Sequence, residues 1–329
     1  MATAQLDRDY DVLATGAGIV DRSERGKLAL TGAGAAEFLN GLVTNEVEAL
    51  EPGRGVYAAV LTPKGKMLGD LRILRAGDEL LLDTERDALQ EVFNVLWRGR
   101  VGYDMEIHKR TLETGLLSVA GPRAREVTGV DTVSADERAD SGDRTPRLPD
   151  AEHSNVTAEL GGVPVRLAST DVGVDVLCAA GDVDAISAAL RERGAADVSE
   201  AALETLRVER GRPRYGIDLD DSTIPQEAGL NERAVSFTKG CYVGQETVAR
   251  LFYRGKPNRH LRGLRLSGPA APGDELVKDG KAVGRLGTVA HSPRHGQIAL
   301  ALVRREAAPG DTVAVGGAGT SAELVELPF

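Results

Sequence analysis

Apolar and polar positions alternate in short runs through the first third of the chain. Lys27-Leu28-Ala29-Leu30-Thr31 predicts a strand and Ala35 to Leu42 a helix. Val56 to Leu61, Asp70 to Leu74 and Glu79 to Asp83 predict three further strands, separated by glycine-containing turns. From Arg86 to Trp97 the period changes. Leu89, Val92, Phe93 and Leu96 recur at i, i+3, i+4 and i+7, the stripe of an amphipathic helix, and Arg98-Gly99 supplies a cation and a stop at its end. A second unit begins near Leu116, with paired strands expected at Val163 to Ala168 and Val172 to Ala179, then helices at Val183 to Arg193 and Ser199 to Arg210. Within it, Asp131 to Asn155 is rich in Asp, Arg, Ser and Pro without periodicity, which predicts an exposed insertion or long loop. After Gly255-Lys256-Pro257 the runs at Leu261 to Leu266, Glu275 to Val277, Ala282 to Ala290, Gln297 to Val303 and Ala322 to Leu327 are all short and β-type. They predict a small all-β terminal domain, a barrel. The expected division is residues 1–255, with an internal boundary near 115, and residues 256–329.

Composition adds exclusions. At 329 residues, with 42% hydrophobic and 27% charged residues, the chain has ample material for two or three packed cores. A net charge of −10 argues against a general nucleic-acid or anionic-membrane surface, although Arg250 to Arg265 is a local basic candidate. No apolar run approaches the roughly 20 residues that span a bilayer, and Met1 to Asp7 has neither a basic region nor an apolar core of a secretory signal. Cys178 and Cys241 are the two cysteines, so a reducing cytoplasm is expected and a disulfide framework is not. Two cysteines and five scattered histidines supply no recognisable metal-ligand set.

Four places carry candidate chemistry. In Lys239-Gly240-Cys241-Tyr242-Val243-Gly244-Gln245-Glu246 a cysteine stands between glycines and beside a lysine, just ahead of a helical segment. Glycines allow close backbone approach and a neighbouring cation favours thiolate, so the octapeptide reads as a reactive site; a tight turn around a small buried cysteine is the competing reading. Glu209 falls on the semi-buried stripe of its helix with Ala202, Thr205 and Leu206, where it could pair with Arg207 or Arg212 or accept two hydrogen bonds from a heterocycle. Asp70 enters a strand after a hairpin-like turn and could be catalytic or merely solvated. Gly16-Ala17-Gly18 and Gly32-Ala33-Gly34 both lack the third glycine of a dinucleotide fingerprint and the expected strand–turn–helix context, and are expected to be loop and helix-entry glycines.

Together these segments resemble the glycine-cleavage T-protein-like folate-binding proteins, and specifically their YgfZ-type branch. Lys239 to Glu246 matches the branch signature K-G-C-Y-x-G-Q-E without a mismatch. Phe38 to Val47 is similar to the family's F-L-x-x-x-x-T-N-D-V, Leu206 to Gly211 to its L-R-x-E-x-G, and Ile224-Pro225-Gln226-Glu227 to its I-P-Q-E. The resemblance covers nearly the whole chain. It implies an α+β fold, a cloverleaf of α/β modules around a central hole with a small C-terminal β-barrel, and tetrahydrofolate or a one-carbon derivative in the hole. It further implies that Glu209 bonds the pterin, that Lys239, Gly240, Tyr242, Gly244 and Gln245 shape the folate site, and that Cys241 is a reactive thiol serving iron–sulfur client or assembly proteins. One departure stands out. The acidic pair of the transferring relatives, G-G-x-x-D-D-L, is here Gly65-Lys66-Met67-Leu68-Gly69-Asp70-Leu71. With one acid lost, transfer of an aminomethyl group from a lipoyl carrier becomes doubtful, and Asp70 keeps a folate-dependent aminomethyltransferase or demethylase as the alternative.

Overall fold

The computed structural model describes residues 2–133, 146–317 and 319–329. Part of the predicted 131–155 insertion therefore lies outside the described residues; the flanks pair as short parallel strands, Asp131–Val133 with Arg147–Pro149. An opening helix, Ala2–Thr15, was not expected from the sequence. Its buried Tyr10 and Leu13 are too few to set a clear period, and they are covered by tertiary contact: Leu13 packs with Val20 and Ala120 as well as with Ala202 and Leu203 of helix Glu200–Glu209.

Beside that short parallel pair, the described residues form two larger antiparallel-rich sheets and a barrel. The first sheet runs Gly55–Leu61, Met67–Ala76, Glu79–Thr84, Gly26–Thr31, Glu106–Lys109 in spatial order. Leu28, Leu30, Ile73 and Leu82 on one face pack against Phe38 and Leu39 of helix Ala35–Leu42 and against Val92 and Leu96 of helix Leu89–Gly99. The i, i+4 pair Val92 and Leu96 is fully buried, as the stripe requires. The second sheet runs Asn155–Leu160, Val163–Ser169, Gly173–Ala179, Thr114–Ala120, Gly18–Asp21, Ala196–Asp197, with helix Val183–Glu192 on its apolar face through Ile186 and Leu190. A small seam of Leu74, Leu116, Ala168 and Leu177 joins the two sheets.

The expected terminal barrel is present and closes with six strands in the order Arg259–Leu266, Gly296–Arg304, Lys281–Ser292, Glu275–Lys278, Thr312–Val315, Thr320–Val325. Closure removes the edges that such short strands would otherwise expose. Helix Glu200–Glu209 seats the barrel on the rest: Val208 packs with Leu261, Ile298 and Leu300. The α+β class with a C-terminal barrel thus follows from the same pattern that predicted it. Gly32–Gly34 does connect a strand to a helix, contrary to the sequence reading. A Cβ at Gly32 would lie 2.5 Å from the Asp104 carbonyl, so this turn is packed against protein backbone and leaves no room for a phosphate.

Candidate functional site

A cavity of about 200 Å³ lies between the two sheets, roofed by helix Glu200–Glu209 and the segment after it. It is built by strand alternation. On Met67–Ala76, Leu71 and Ile73 point into the first core, while Asp70 and Arg72 point into the cavity. Tyr57, directly opposite Arg72 on the neighbouring strand, shares that face. The Thr44-Asn45 pair holds this geometry. The Thr44 hydroxyl donates to the Ala234 carbonyl and accepts from the Ala59 N–H, and the Asn45 amide donates to the carbonyls of Tyr57 at 2.9 Å and Arg233 at 3.2 Å.

Charge in the cavity is almost wholly compensated. Arg25 holds Asp83 and Glu85; Arg72 holds Asp83 at 2.9 Å and Asp175 at 2.6 Å. Arg214 joins Glu85 to Glu204, Arg207 joins Glu204 to Asp218, Arg212 pairs with Asp171, and Arg233 pairs with Glu152. Among the described residues, Asp70 is the one lining carboxylate with no arginine at ion-pairing distance. Its Oδ2 instead accepts the Tyr57 hydroxyl at 2.5 Å. Burial drives its pKa up to about 6; Glu85 adds to the rise, while the Tyr57 bond and Arg25 oppose it. The same burial and the adjacent Asp70 push the Tyr57 phenol well above its ordinary value, so the tyrosine remains a donor. Asp70 can therefore take or hold a proton near neutrality.

Position 69 changes the meaning of the lost acid. A Cβ on Gly69 would sit 2.9 Å from Ala88 Cβ and 2.9 Å from Val92 Cγ2, on the core face of the strand. A side chain there points away from the cavity. Asp70 is the cavity-facing member of the pair, and the sequence inference that glycine at 69 removes a reacting acid is corrected by the alternation of the strand.

Glu209 is not brought to the cavity. Its carboxylate accepts the Tyr10 hydroxyl at 2.8 and 3.0 Å and the Ser292 hydroxyl at 2.5 Å, pinning the first helix, the roof helix and the barrel together. The acid that helix turns toward the cavity is Glu204, earlier on the helix and on a different face. The remaining predicted folate contacts are also elsewhere. Lys239, Gly240, Tyr242, Gly244 and Gln245 line no part of this cavity. Lys239 Nζ donates to the carbonyls of Asn40, Val43 and Asn45 at 2.6, 2.9 and 2.8 Å, so it clamps a loop rather than serving as a free cation beside the thiol. Burial lowers its pKa to about 8, against the pull of Glu46 and Glu48. Tyr242 is buried against Leu61, Met67 and Val248, and burial raises its phenol to about 12. A Cβ added at Gly240 would meet nothing within 4 Å, so no close approach requires glycine there. Gly244 does have a reason: φ is 85°, and a Cβ would meet the Thr62 carbonyl at 2.6 Å. Gln245 opens helix Gln245–Arg254, its N–H bonded to the Tyr242 carbonyl. Cys241 is exposed and unpaired.

The basic stretch from Arg250 is partly neutralised, since Arg259 pairs with Glu227 and Arg262 with Glu326. Glu227 of the Ile224–Glu227 segment thus ties that loop to the barrel. Among the described residues there is no group of three or more His, Cys, Asp and Glu side chains placed to hold a metal, and no helix long and apolar enough to cross a membrane. The sequence reading missed Tyr57, His153, Arg233 and the Arg25–Glu85–Arg214–Glu204 chain. An arginine buried inside a strand, Arg72 in an apolar run, was the available signal that a charged interior lay on that face.

Known proteins share this architecture. Residues 2–239 match the GCVT N-terminal domain and residues 259–329 the glycine cleavage T-protein C-terminal barrel domain. The chain is 29% identical over 98% of its length to a chloroplastic protein of Arabidopsis thaliana that carries a provisional transferase name, covering 73% of that protein. It is 30% identical to aminomethyltransferases of Geobacillus kaustophilus and Streptomyces coelicolor, covering 90% and 88% of those chains and 99% and 98% of this one. The crystal structure of the glycine cleavage system aminomethyltransferase T from Bartonella henselae superposes with a TM-score of 0.82 at 22% identity, over 98% of this chain and 89% of that one, which establishes the common fold. The chain belongs to the glycine cleavage T-protein family.

Proposed function

We propose that this protein binds tetrahydrofolate or a one-carbon derivative in the central cavity and supports the assembly or repair of iron–sulfur clusters in client enzymes, in the cytoplasm, with Cys241 as its working thiol. The observation that carries the reading is the contrast within one octapeptide. Lys239 and Tyr242 are buried anchors and Gly244 answers a backbone demand, so packing accounts for them. Packing does not account for Cys241, which is exposed although free cysteine is among the most buried of residues. A thiol presented at the surface suits chemistry on a macromolecular partner rather than on a ligand enclosed in the cavity.

The folate part rests on the cavity. Asp70, with no arginine at ion-pairing distance, faces it beside Tyr57. A polar heterocycle bearing an amine would meet that carboxyl. Bound there, the folate would supply the one-carbon carrier; the protein's part is to orient it and hold the proton at Asp70. The cavity-facing orientation of Asp70 also favours a second reading, a folate-dependent aminomethyltransferase or demethylase.

One pair of measurements separates the two. In a strain lacking the gene, wild type should restore iron–sulfur enzyme activities while Cys241→Ser should not. The second reading requires the purified protein to release a tetrahydrofolate-linked one-carbon product from an aminomethylated lipoyl carrier, with a loss of about 10²-fold or more in Asp70→Asn. Full complementation by Cys241→Ser would sink the first reading.

A further inference from the structure

The facing surfaces of the two sheets enclose more than the central cavity. Strand alternation repeats the inward face at every second residue. On Met67–Ala76 that face runs Asp70, Arg72, Leu74; on Glu79–Thr84 it includes Asp83 and Leu81; on Gly173–Ala179 it includes Asp175 and Leu177. In each strand the charged residues line the central cavity and the leucine belongs to the seam between the sheets. The same three leucines line a second cavity of about 400 Å³ on the other side of that seam. This volume falls within the roughly 300–1,000 Å³ range of small-molecule sites. The two cavities share Asp83 and no other lining residue.

Charge in the second cavity is compensated on one side only. Asp83 is held by Arg25 and Arg72, and Arg110 holds Glu113 at 2.7 Å and Glu79 at 3.6 Å. Every carboxylate of the lining is thus paired. The cations Lys27 and Arg166 also line it, and among the described residues neither has a carboxylate at ion-pairing distance. Lys27 Nζ donates to the carbonyls of Ser23 and Arg25 at 2.8 and 3.1 Å. Arg166 stands in register between Thr157 and Leu177, so its half-buried side chain shares their face. Its Nη1 donates to Asn155 Oδ1 at 2.7 Å and its Nη2 to Thr157 Oγ1 at 3.3 Å, both neutral acceptors. A guanidinium carries five N–H donors, so most of this one has no acceptor among the described residues. Burial lowers the Arg166 pKa against the pull of Glu79, as for a cation drawn from water without a counter-ion.

We propose that this second cavity binds a small monoanionic carboxylic acid with an apolar body, its carboxylate on Arg166 and its chain against Leu74, Leu81 and Leu177. The planar guanidinium edge matches a carboxylate through two parallel hydrogen bonds. The buried Lys27 adds to the positive potential of the wall. A second negative charge on the ligand would meet the leucines or approach Glu79 and Glu113, so a dianion of the same length is disfavoured.

Calorimetric titration of the full chain with octanoate, octanamide and octanedioate at constant ionic strength tests this. Octanoate should bind with a Kd of about 1 mM or tighter. Octanamide and octanedioate should bind at least about tenfold more weakly, since a hydrogen bond to a charged group is at stake. Arg166→Gln should bring octanoate to the affinity of octanamide while leaving octanamide binding and the denaturation midpoint unchanged. Arg166→Lys, which keeps the charge but loses the fork, should fall between, and it carries the same comparison if the glutamine variant does not fold. Saturating tetrahydrofolate should leave octanoate binding unaltered. Absence of octanoate binding, octanamide binding as tightly as octanoate, or an octanoate affinity that survives in the Arg166 variants overturns the inference. Exclusion of octanoate by tetrahydrofolate would assign the anion to the central cavity and overturn it as well.

Discussion

At the level of single residues, Asp70 gives the sharpest expectation because burial fixes its sign. The folded carboxyl titrates at about 6 and an ordinary aspartate at 3.8. Between those values the folded protein holds the proton more firmly than the unfolded chain, so this group's contribution is most favourable at low pH. Stability is lost as pH rises from about 4 to about 6, by on the order of 3 kcal/mol if the site acts alone. Asp70→Asn keeps an acceptor for Tyr57 and carries no charge, so above pH 6 it should be the more stable protein, by about 1–3 kcal/mol. Urea denaturation of both proteins from pH 4 to pH 8 checks this, and parallel pH profiles would contradict it. Little of this was legible along the chain. The acid itself was visible, but its freedom from any arginine depends on the surrounding ion pairs, contributed from residues as far apart as Arg25 and Arg233. Glu209 shows the opposite case. Its helical face was read as semi-buried, and it is, but what buries it is a tyrosine 199 positions away and a serine on the barrel.

The signature loop and its helix belong to the scale of the element. The most specific stretch of the sequence proves to be a mounting, in which one side chain is presented and the others hold. Gly244→Ala should therefore cost about 2 kcal/mol or more, since it combines a left-handed φ with a 2.6 Å approach to the Thr62 carbonyl. Gly240→Ala, with open space around it, should stay within about 0.5 kcal/mol of wild type. Denaturation midpoints measured side by side settle the contrast, and equal losses would mean that the loop is held in some other way. From sequence the two glycines were indistinguishable, because the difference is made by the Thr62–Lys66 turn packing against only one of them. The amphipathic helices and the barrel strands were legible for the converse reason. Their periods record a single buried face, and that face is a local property of the chain. The missing first acid of the transferase pair was misread in just this respect: alternation from Asp70 already placed position 69 on the other face.

The two sheets meet through charge as well as through apolar contact. The seam of Leu74, Leu116, Ala168 and Leu177 is small, whereas Arg72 of the first sheet reaches Asp175 of the second at 2.6 Å in a buried setting, where Ser118 also donates to Asp175 at 2.7 Å. Removing one partner of such a pair strands the other. Asp175→Ala should cost about 2–4 kcal/mol, with Asp83 as a remaining partner limiting the loss, and should weaken ligand binding because Arg72 lines the cavity. Calorimetric unfolding with and without tetrahydrofolate reads both effects, and a change under about 0.5 kcal/mol would show that the apolar seam suffices. Local patterning was enough to specify the α+β class, the terminal barrel and the segments on which chemistry could stand, since burial periodicity and turn residues are written locally. Which of those segments share a cavity was settled only when the modules packed together. Packing separated Cys241 and Glu209 from Asp70 and brought His153 and Arg233 to it. The physical reason is that a site is defined by distances between side chains far apart in sequence, and those distances are fixed by strand register, ion pairing and module docking rather than by any residue's own neighbours.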